Sequence, residues 1–473
     1  QNSSHFHNTG NRRSLLLLVF GGALLLRLLL AYTTHGFSND IACFAAWADR
    51  IFTLGPGQFY SAEMFTDYPP GFMYVLYLIG ALRSLLQIPY YSDLHILLLK
   101  LPAILCDIAC GFLLYREAVK RLHFSDLQGI FAASAYLFQP AVILNSSCWG
   151  QVDSVYTLMI ILMCLFLMKG NLLPAYAVYG LGVLLKPQML IFTPVLLAGI
   201  WDHVFLQDFS WRKFFYNLCG GLVVICGMLL LCAPFGLTAA ISQYTSTLGS
   251  YEYAAINAYN FWGLLGMNWV DQNTIFLFLP CKTWGTIVIL LIVLFTFLIA
   301  ARCRKEPSRY FCLGAFIILT MFLFSVRMHE RYMYPGLALL LFCCLYRPST
   351  PLWKCFSGFA VLHFYNTANV LYHYDPQNYA NRIAENRSKN AFVVFRFQNK
   401  LRSHCAERSA DQTVETDACE REDHAIDDIG NKHHAEFLDL REVEHHGDAQ
   451  HKRTYKWDHH VDDWNESHYC RNQ

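Results

Sequence analysis

The chain predicts an all-α polytopic membrane protein with about eleven transmembrane helices (roughly ten to twelve). Three observations carry the prediction. Hydrophobic residues make up 55% of the sequence and charged residues only 15%, whereas soluble domains carry roughly a quarter charged. From Leu15 to His373 the apolar residues fall in runs of membrane-helix length. Clusters of Lys and Arg recur between runs at intervals that suit alternate crossings, because positive loops stay cytoplasmic. The formal net charge of +1 argues neither way on a nucleic-acid partner, and none is expected. Of the 17 cysteines, most lie inside apolar runs and none forms a CxxC pair, so they read as small apolar residues.

Arg12 and Arg13 close a short cytoplasmic N-terminus, 1–14, and precede the first span, Leu15–Tyr32. That run is too long for a leader core and is read as retained. Residues 33–88 then form an external loop. Within it, Asp40–Leu54 has Ile41, Phe44, Ala45, Ala48, Ile51 and Phe52 at helical spacing, opposite Asp49 and Arg50. This predicts a helix lying on the membrane surface, ended by Gly55-Pro56-Gly57. The run Gly71–Leu86 is long enough to cross. Were it to do so, however, the basic cluster Arg116, Lys120 and Arg121 would lie outside, so it is read as a second interfacial or re-entrant helix. The remaining runs begin with Leu94–Tyr115 and end with Leu352–Tyr372, and the basic stretches Trp211–Lys213 and Arg302–Arg309 fall inside. The 234–280 segment is a second external loop. Lys100 and Asp107 share a face of the second span, where charges turn inward and find partners. A structural role is expected of both. Residues 373–473 form a polar tail holding eleven of the 19 histidines. It predicts disorder, and its His-His pairs read as solvated.

Four clusters face the external side in this topology. They are Asp40 with the Asp67-Tyr68-Pro69-Pro70 element, Trp149-Gly150-Gln151-Val152-Asp153, Lys186-Pro187-Gln188, and Arg327-Met328-His329-Glu330-Arg331. Each alone has a bland reading: a snorkelling lysine, an interface tryptophan, a helix start, an ion-pair cluster. Their convergence on one face is the stronger signal. Positive charge is disfavoured outside, so Arg327, His329 and Arg331 call for a reason. A planar guanidinium fork that pairs with a lipid-linked phosphate would supply one.

Together with Asn257 and Asn260 in NAYNFWGLLG, the motifs DYPPG, WGQVDS, LKPQ and MHERYMYP resemble those of the polytopic GT-C glycosyltransferases. The likeness is to the mannosyltransferase-like proteins related to the second mannosyltransferase of GPI-anchor synthesis. The chain is also similar to the dolichyl-phosphate-glucose glucosyltransferases of N-glycan assembly. The resemblance covers roughly residues 15–372. It implies a GT-C fold with interfacial helices in the first external loop. It also implies inverting transfer of a sugar, mannose above others, from a polyprenyl-phosphate donor to a glycan or glycolipid acceptor. By position Asp40 corresponds to the catalytic acid of the first loop, Asp67 to the DYPP acid, and His329 to the late histidine near the donor phosphate. Two departures stand out: Asn39 beside the acid, and the polar tail where relatives continue with a further span.

On that reading Asp40 accepts the proton of the attacking hydroxyl. Positive charge from Arg327, Arg331, His329 or Lys186 stabilises the leaving phosphate. Tyr68, Asp67, Trp149, Gln151, Asp153, Gln188, Asn257 and Asn260 bind substrate. No metal ligand is assigned, although Asp40, Asp67 and Asp153 are the donors a Mg²⁺ or Mn²⁺ ion would use. The expected setting is a multi-pass protein of the endoplasmic reticulum membrane, or of the plasma membrane in a bacterium. A lipid or solute transporter and a non-catalytic membrane subunit are the alternatives. A transporter would more often show paired halves with interrupted helices at midplane, and the charges here gather at one face.

Overall fold

The computed structural model describes residues 2–61, 65–207, 209–249, 251–306 and 308–373. The tail from residue 374 lies outside the described residues. Helix α1 (Asn2–Thr33) is followed by α2 (Ser38–Leu54), α3 (Pro70–Leu85), α4 (Asp93–Arg116), α5 (Asp126–Leu137) and α6 (Pro140–Ile143). Helices α7 (Asp153–Met168), α8 (Leu172–Leu185), α9 (Thr193–Ile200), α10 (Trp211–Cys232), α11 (Leu237–Gly249) and α12 (Phe261–Leu264) come next. The series closes with α13 (Cys281–Arg302), α14 (Arg309–Phe324), α15 (Tyr334–Tyr346) and α16 (Thr350–His373). Four two-residue strands are the only extended pieces among the described residues: β1 (Ala255–Ile256), β2 (Ile275–Phe276), β3 (Leu279–Pro280) and β4 (Met328–His329). The all-α expectation holds.

Five helical segments are long and apolar enough to cross a membrane, and a sixth if the bent pair α5–α6 counts as one span. Helices α3, α7, α8, α14 and α15 are apolar but shorter, at 10–17 residues. Sixteen residues of helix, the length of α3, measure only about 24 Å, less than the roughly 30 Å hydrocarbon core. The expected count of about eleven therefore includes helices that fall short of a full crossing by length alone. In α10 and α13 only 11% and 22% of the most apolar window is buried within the protein, so both present their flanks to lipid.

Helix α2 begins two residues before the expected start, and its buried stripe is the expected one with Trp47 added and Phe52 only half-buried. Its surroundings differ from expectation. Ile41, Phe44, Ala45, Ala48 and Ile51 are buried against α3 and α4, so protein rather than membrane covers that face. Gly80 permits the approach: a Cβ there would lie 2.5 Å from the Ala48 carbonyl oxygen. The polar face is used as well. Asp49 pairs with Arg83 of α3, and Arg50 Nε donates to the Phe59 carbonyl at 2.9 Å. The amphipathic pattern was legible, but it does not distinguish a lipid partner from a protein one.

The intramembrane charges are paired. Asp107 on α4 faces Arg27 of α1 at 3.5 Å, both fully buried. Its Oδ1 accepts from Ser154 Oγ (2.7 Å), Tyr334 Oη (2.6 Å) and Tyr136 Oη (3.1 Å). One carboxylate thereby ties α1, α4, α5, α7 and α15 together, and the hydrogen bonds compensate its burial. Lys100 donates to the carbonyls of Ala31 (3.2 Å) and Thr34 (2.6 Å), which satisfies carbonyls left open at the end of α1. The structural role expected of this pair holds, with partners other than each other.

Candidate active site

One end of the bundle gathers the sequence clusters. Asp40 lies in the first turn of α2, where a carboxylate is favoured by the helix dipole. Two contacts fix where that turn begins. The Phe37 ring stacks on Trp149 at 4.7 Å, and the Phe37 N–H donates to the Trp149 carbonyl at 3.0 Å. Trp149 itself is fully buried at the end of a widened helical turn, Leu144–Trp149. The chain then reverses through Gly150 (φ 90°), where a Cβ would lie 2.6 Å from Ile41 Cδ1. Only glycine accepts both the conformation and the proximity. The reversal brings two donors to one oxygen: Asp40 Oδ2 accepts from Trp149 Nε1 at 2.7 Å and from Gln151 Nε2 at 2.5 Å.

Asp153 opens α7 and is fully buried. It pairs with Lys186 and accepts from Asn145 Nδ2 at 3.2 Å. The Lys186 ammonium sits between the rings of Tyr68 (5.8 Å) and Tyr156 (5.4 Å). Burial lowers its pKa, and Asp153 opposes that shift. Asp67 accepts from Tyr251 Oη at 3.0 Å, and burial raises its carboxyl above the usual range. Tyr68 Oη reaches Gln151 Oε1 at 3.5 Å, linking the DYPP element to the Asp40 donors.

The late motif is held by strand pairing. Strand β4 runs parallel to β1, with Ile256 opposite His329, and Asn257 bridges to His329. Arg331 is then placed with its guanidinium 5.8 Å from the Trp149 ring centroid, and its Nη1 donates to Glu330 Oε1 at 2.5 Å. Burial works against its charge, but the carboxylates of Asp40, Glu330 and Asp153 outweigh burial and hold it protonated. His329 is packed between Tyr251 (4.7 Å) and Tyr332 (4.8 Å). Burial, reinforced by the charges of Arg331 and Lys186, pushes its pKa well below the ordinary histidine value.

The four expected cations sit in different surroundings. His329 is neutral, because a second positive charge beside Arg331 in a buried site is unfavourable. Lys186 is committed to Asp153. Arg327 has φ 63° and donates its Nε to Gln272 at 2.8 Å, in the loop that carries β1 to β3. Of the expected cations, Arg331 alone is set between the carboxylates and the Trp149 face. Asn257 and Asn260 both make intramolecular hydrogen bonds. Asn257 Oδ1 accepts from Trp269 Nε1 at 2.9 Å, and Asn260 caps α12 through the Gly263 N–H at 2.9 Å.

Four buried polar atoms around this centre have no hydrogen-bond partner within the protein: Tyr156 Oη, Gln188 Oε1, His329 Nε2 and Arg331 Nε. Gln188 hydrogen-bonds Tyr332 and keeps that oxygen over. Buried polar atoms are rarely left so, and a hydroxyl-rich or anionic ligand would satisfy them. Tyr156, Tyr251 and Tyr332 were not picked out from sequence. Only Tyr156 carried a signal, one helical turn beyond Asp153 on the same face of α7. Among the described residues no group of three or more His, Cys, Asp or Glu side chains is placed to hold a metal ion. Asp40, Asp67 and Asp153 each accept from separate donors.

A multi-pass helical membrane protein, with a buried carboxylate, a fixed guanidinium and unpartnered polar atoms at one end, is organised as the GT-C-like transferases are. The chain belongs to glycosyltransferase family 87, whose model matches residues 65–325, and it is a glycosyltransferase. The match takes in Asp67, Trp149, Gln151, Asp153 and Lys186, begins after Asp40 and ends before Arg331. A comparison with curated proteins found no match.

Proposed function

We propose that this glycosyltransferase is an inverting enzyme. It moves a sugar, most specifically mannose, from a polyprenyl (dolichyl-type) phosphate to a hydroxyl of a lipid-linked or protein-linked glycan, at the extracytoplasmic membrane face. The observation that carries this reading is the coupling of Asp40 to Arg331 across Trp149. With Oδ2 held by two N–H donors, Asp40 presents Oδ1 to the acceptor hydroxyl. As the acceptor oxygen bonds to the anomeric carbon, its proton passes to Asp40 and the carbon–phosphate oxygen bond breaks. The leaving group is a phosphate monoester, stable as an anion, so no acid is required. Arg331 meets the charge that develops on it. The neutral His329 donates or accepts a single hydrogen bond rather than adding charge. Asp67, Gln188 and Tyr156 orient sugar hydroxyls. No step is routed through a divalent ion. The choice of mannose rests on the motif resemblance, as does the endoplasmic reticulum, or a bacterial plasma membrane, as the site.

The test is incubation of the purified full chain with a panel of polyprenyl-phosphate sugars and mass analysis of products, with and without chelator. Transfer from the mannosyl donor that survives chelation is expected. Transfer from nucleotide sugars alone would overturn the proposed donor class.

A further inference from the structure

The opposite end of the bundle carries a second polar centre. Helices α4 and α7 start near Asp40 and finish there, as does the helical segment Pro187–Leu206, while α14 starts there and leads back to the Arg327–Arg331 loop. Twenty residues of helix span about 30 Å, so the two centres are separated by most of a bilayer. A cavity of about 670 Å³ opens at this end. Its cationic lining is Arg121, Arg302, Arg304, Lys305 and Arg309, against the acids Asp202 and Glu306.

Both acids are already committed. Asp202 pairs with the buried Arg309 and accepts from Tyr310 Oη at 3.0 Å. Glu306 faces Arg347 at 3.5 Å. Among the described residues Arg302 and Lys305 enter no ion pair. Arg121 Nη1 is buried without a hydrogen-bond acceptor, its nearest acid being Glu117 at 3.7 Å. A preference for positive loops on one side of the membrane accounts for the charges. It does not account for a cavity whose two acids are already paired while, among the described residues, Arg302 and Lys305 are not.

We propose that this cavity is a second anion site, which takes a phosphate group at the end of the bundle opposite Asp40. Guanidinium forks match phosphate oxygens in geometry as well as charge. The bearer of the phosphate is indicated by α13. Leu290, Leu294 and Leu298 are each half-exposed or more and repeat every four residues, so they share one face that continues to Arg302. An acyl chain lying on that face delivers its headgroup to the cavity. A soluble phosphate would engage the same side chains without using the apolar stripe.

Native mass spectrometry of the full chain in detergent separates these cases. Phosphatidic acid and phosphatidylcholine with identical acyl chains are compared, alongside inorganic pyrophosphate alone. Phosphatidic acid is expected to be retained roughly tenfold more strongly than phosphatidylcholine, the scale of one charge-assisted contact. The variant R302Q/K305Q, both positions exposed, is expected to lose that preference while keeping its melting temperature and its glycosyl transfer. Displacement of phosphatidic acid by pyrophosphate would identify the site as open to free phosphate, and resistance to it would identify a lipid headgroup site. Equal retention of the two lipids with no pyrophosphate binding would overturn the proposal. Wild-type preference in R302Q/K305Q would also overturn it.

Discussion

Trp149 donates its indole N–H to Asp40 Oδ2 at 2.7 Å and offers its ring face to Arg331, 5.8 Å from the centroid. One rigid side chain thus sets the spacing between a carboxylate and a guanidinium that come from opposite ends of the sequence. Replacing Asp40 by Asn keeps the shape and removes the base. Transfer is expected to fall by roughly 10²–10⁴-fold, with the melting temperature near wild type. W149F removes the N–H together with part of the ring surface that Phe37 and Arg331 pack on, and a loss of at least about tenfold is expected, the scale of a hydrogen bond to a charged group. Normal transfer by D40N in a reconstituted assay would remove Asp40 from the mechanism.

Arg327 and Arg331 are four residues apart, and the structure gives them different work. R331Q, and R331K almost as much, should lower transfer at saturating donor, because lysine lacks the planar fork. A loss of roughly 10²-fold or more is expected for a charge aimed at the leaving group. R327Q loosens the contact to Gln272 and should leave the rate within about threefold of wild type, the effect of a half-exposed neutral-acceptor bond. Equal losses in the two variants would contradict this division.

The Lys186–Asp153 pair is buried within the protein. K186M strands the Asp153 charge, and a destabilisation of roughly 3–5 kcal/mol is expected. K186M/D153N removes both charges and should recover most of that loss, since a neutral side chain at 153 still accepts from Asn145. Thermal unfolding of K186M, D153N and K186M/D153N in one detergent reads the coupling. Simple additivity would show that the pair contributes no mutual stabilisation.

His329 supplies a pH dependence whose sign can be worked out. Its folded pKa lies well below the ordinary value because of burial and the charges of Arg331 and Lys186. The unfolded chain therefore takes up this proton first as the solution is acidified. The resulting stability is fully present above about pH 6.5 and is lost as pH falls below it. H329Q should flatten this part of the stability profile. Between pH 6.5 and 8 the imidazole stays neutral, so H329Q should lower the transfer rate without changing the shape of its pH profile there. A rate inflection near pH 7 that disappears in H329Q would show that the imidazole titrates in the working enzyme.

The sequence alone determined the helical membrane class, the order of the apolar runs and the four clusters that meet at one end. Hydropathy is a local property and survives without coordinates, as the stripe of α2 from Ile41 to Ile51 shows. The different roles expected of Asp40 and Asp67 came from the motif resemblance, not from hydropathy. What only the tertiary structure decided is what each expected cation meets. His329 is buried beside Arg331, Lys186 pairs with Asp153, and Arg327 donates to Gln272. Several of these contacts join residues far apart in the chain: Lys186 and Asp153 are 33 positions apart, Trp149 lies 109 positions from Asp40, and Tyr251 184 positions from Asp67. The charge state of a buried group is set by desolvation and by the sum of nearby charges, and neither quantity exists until the chain has folded.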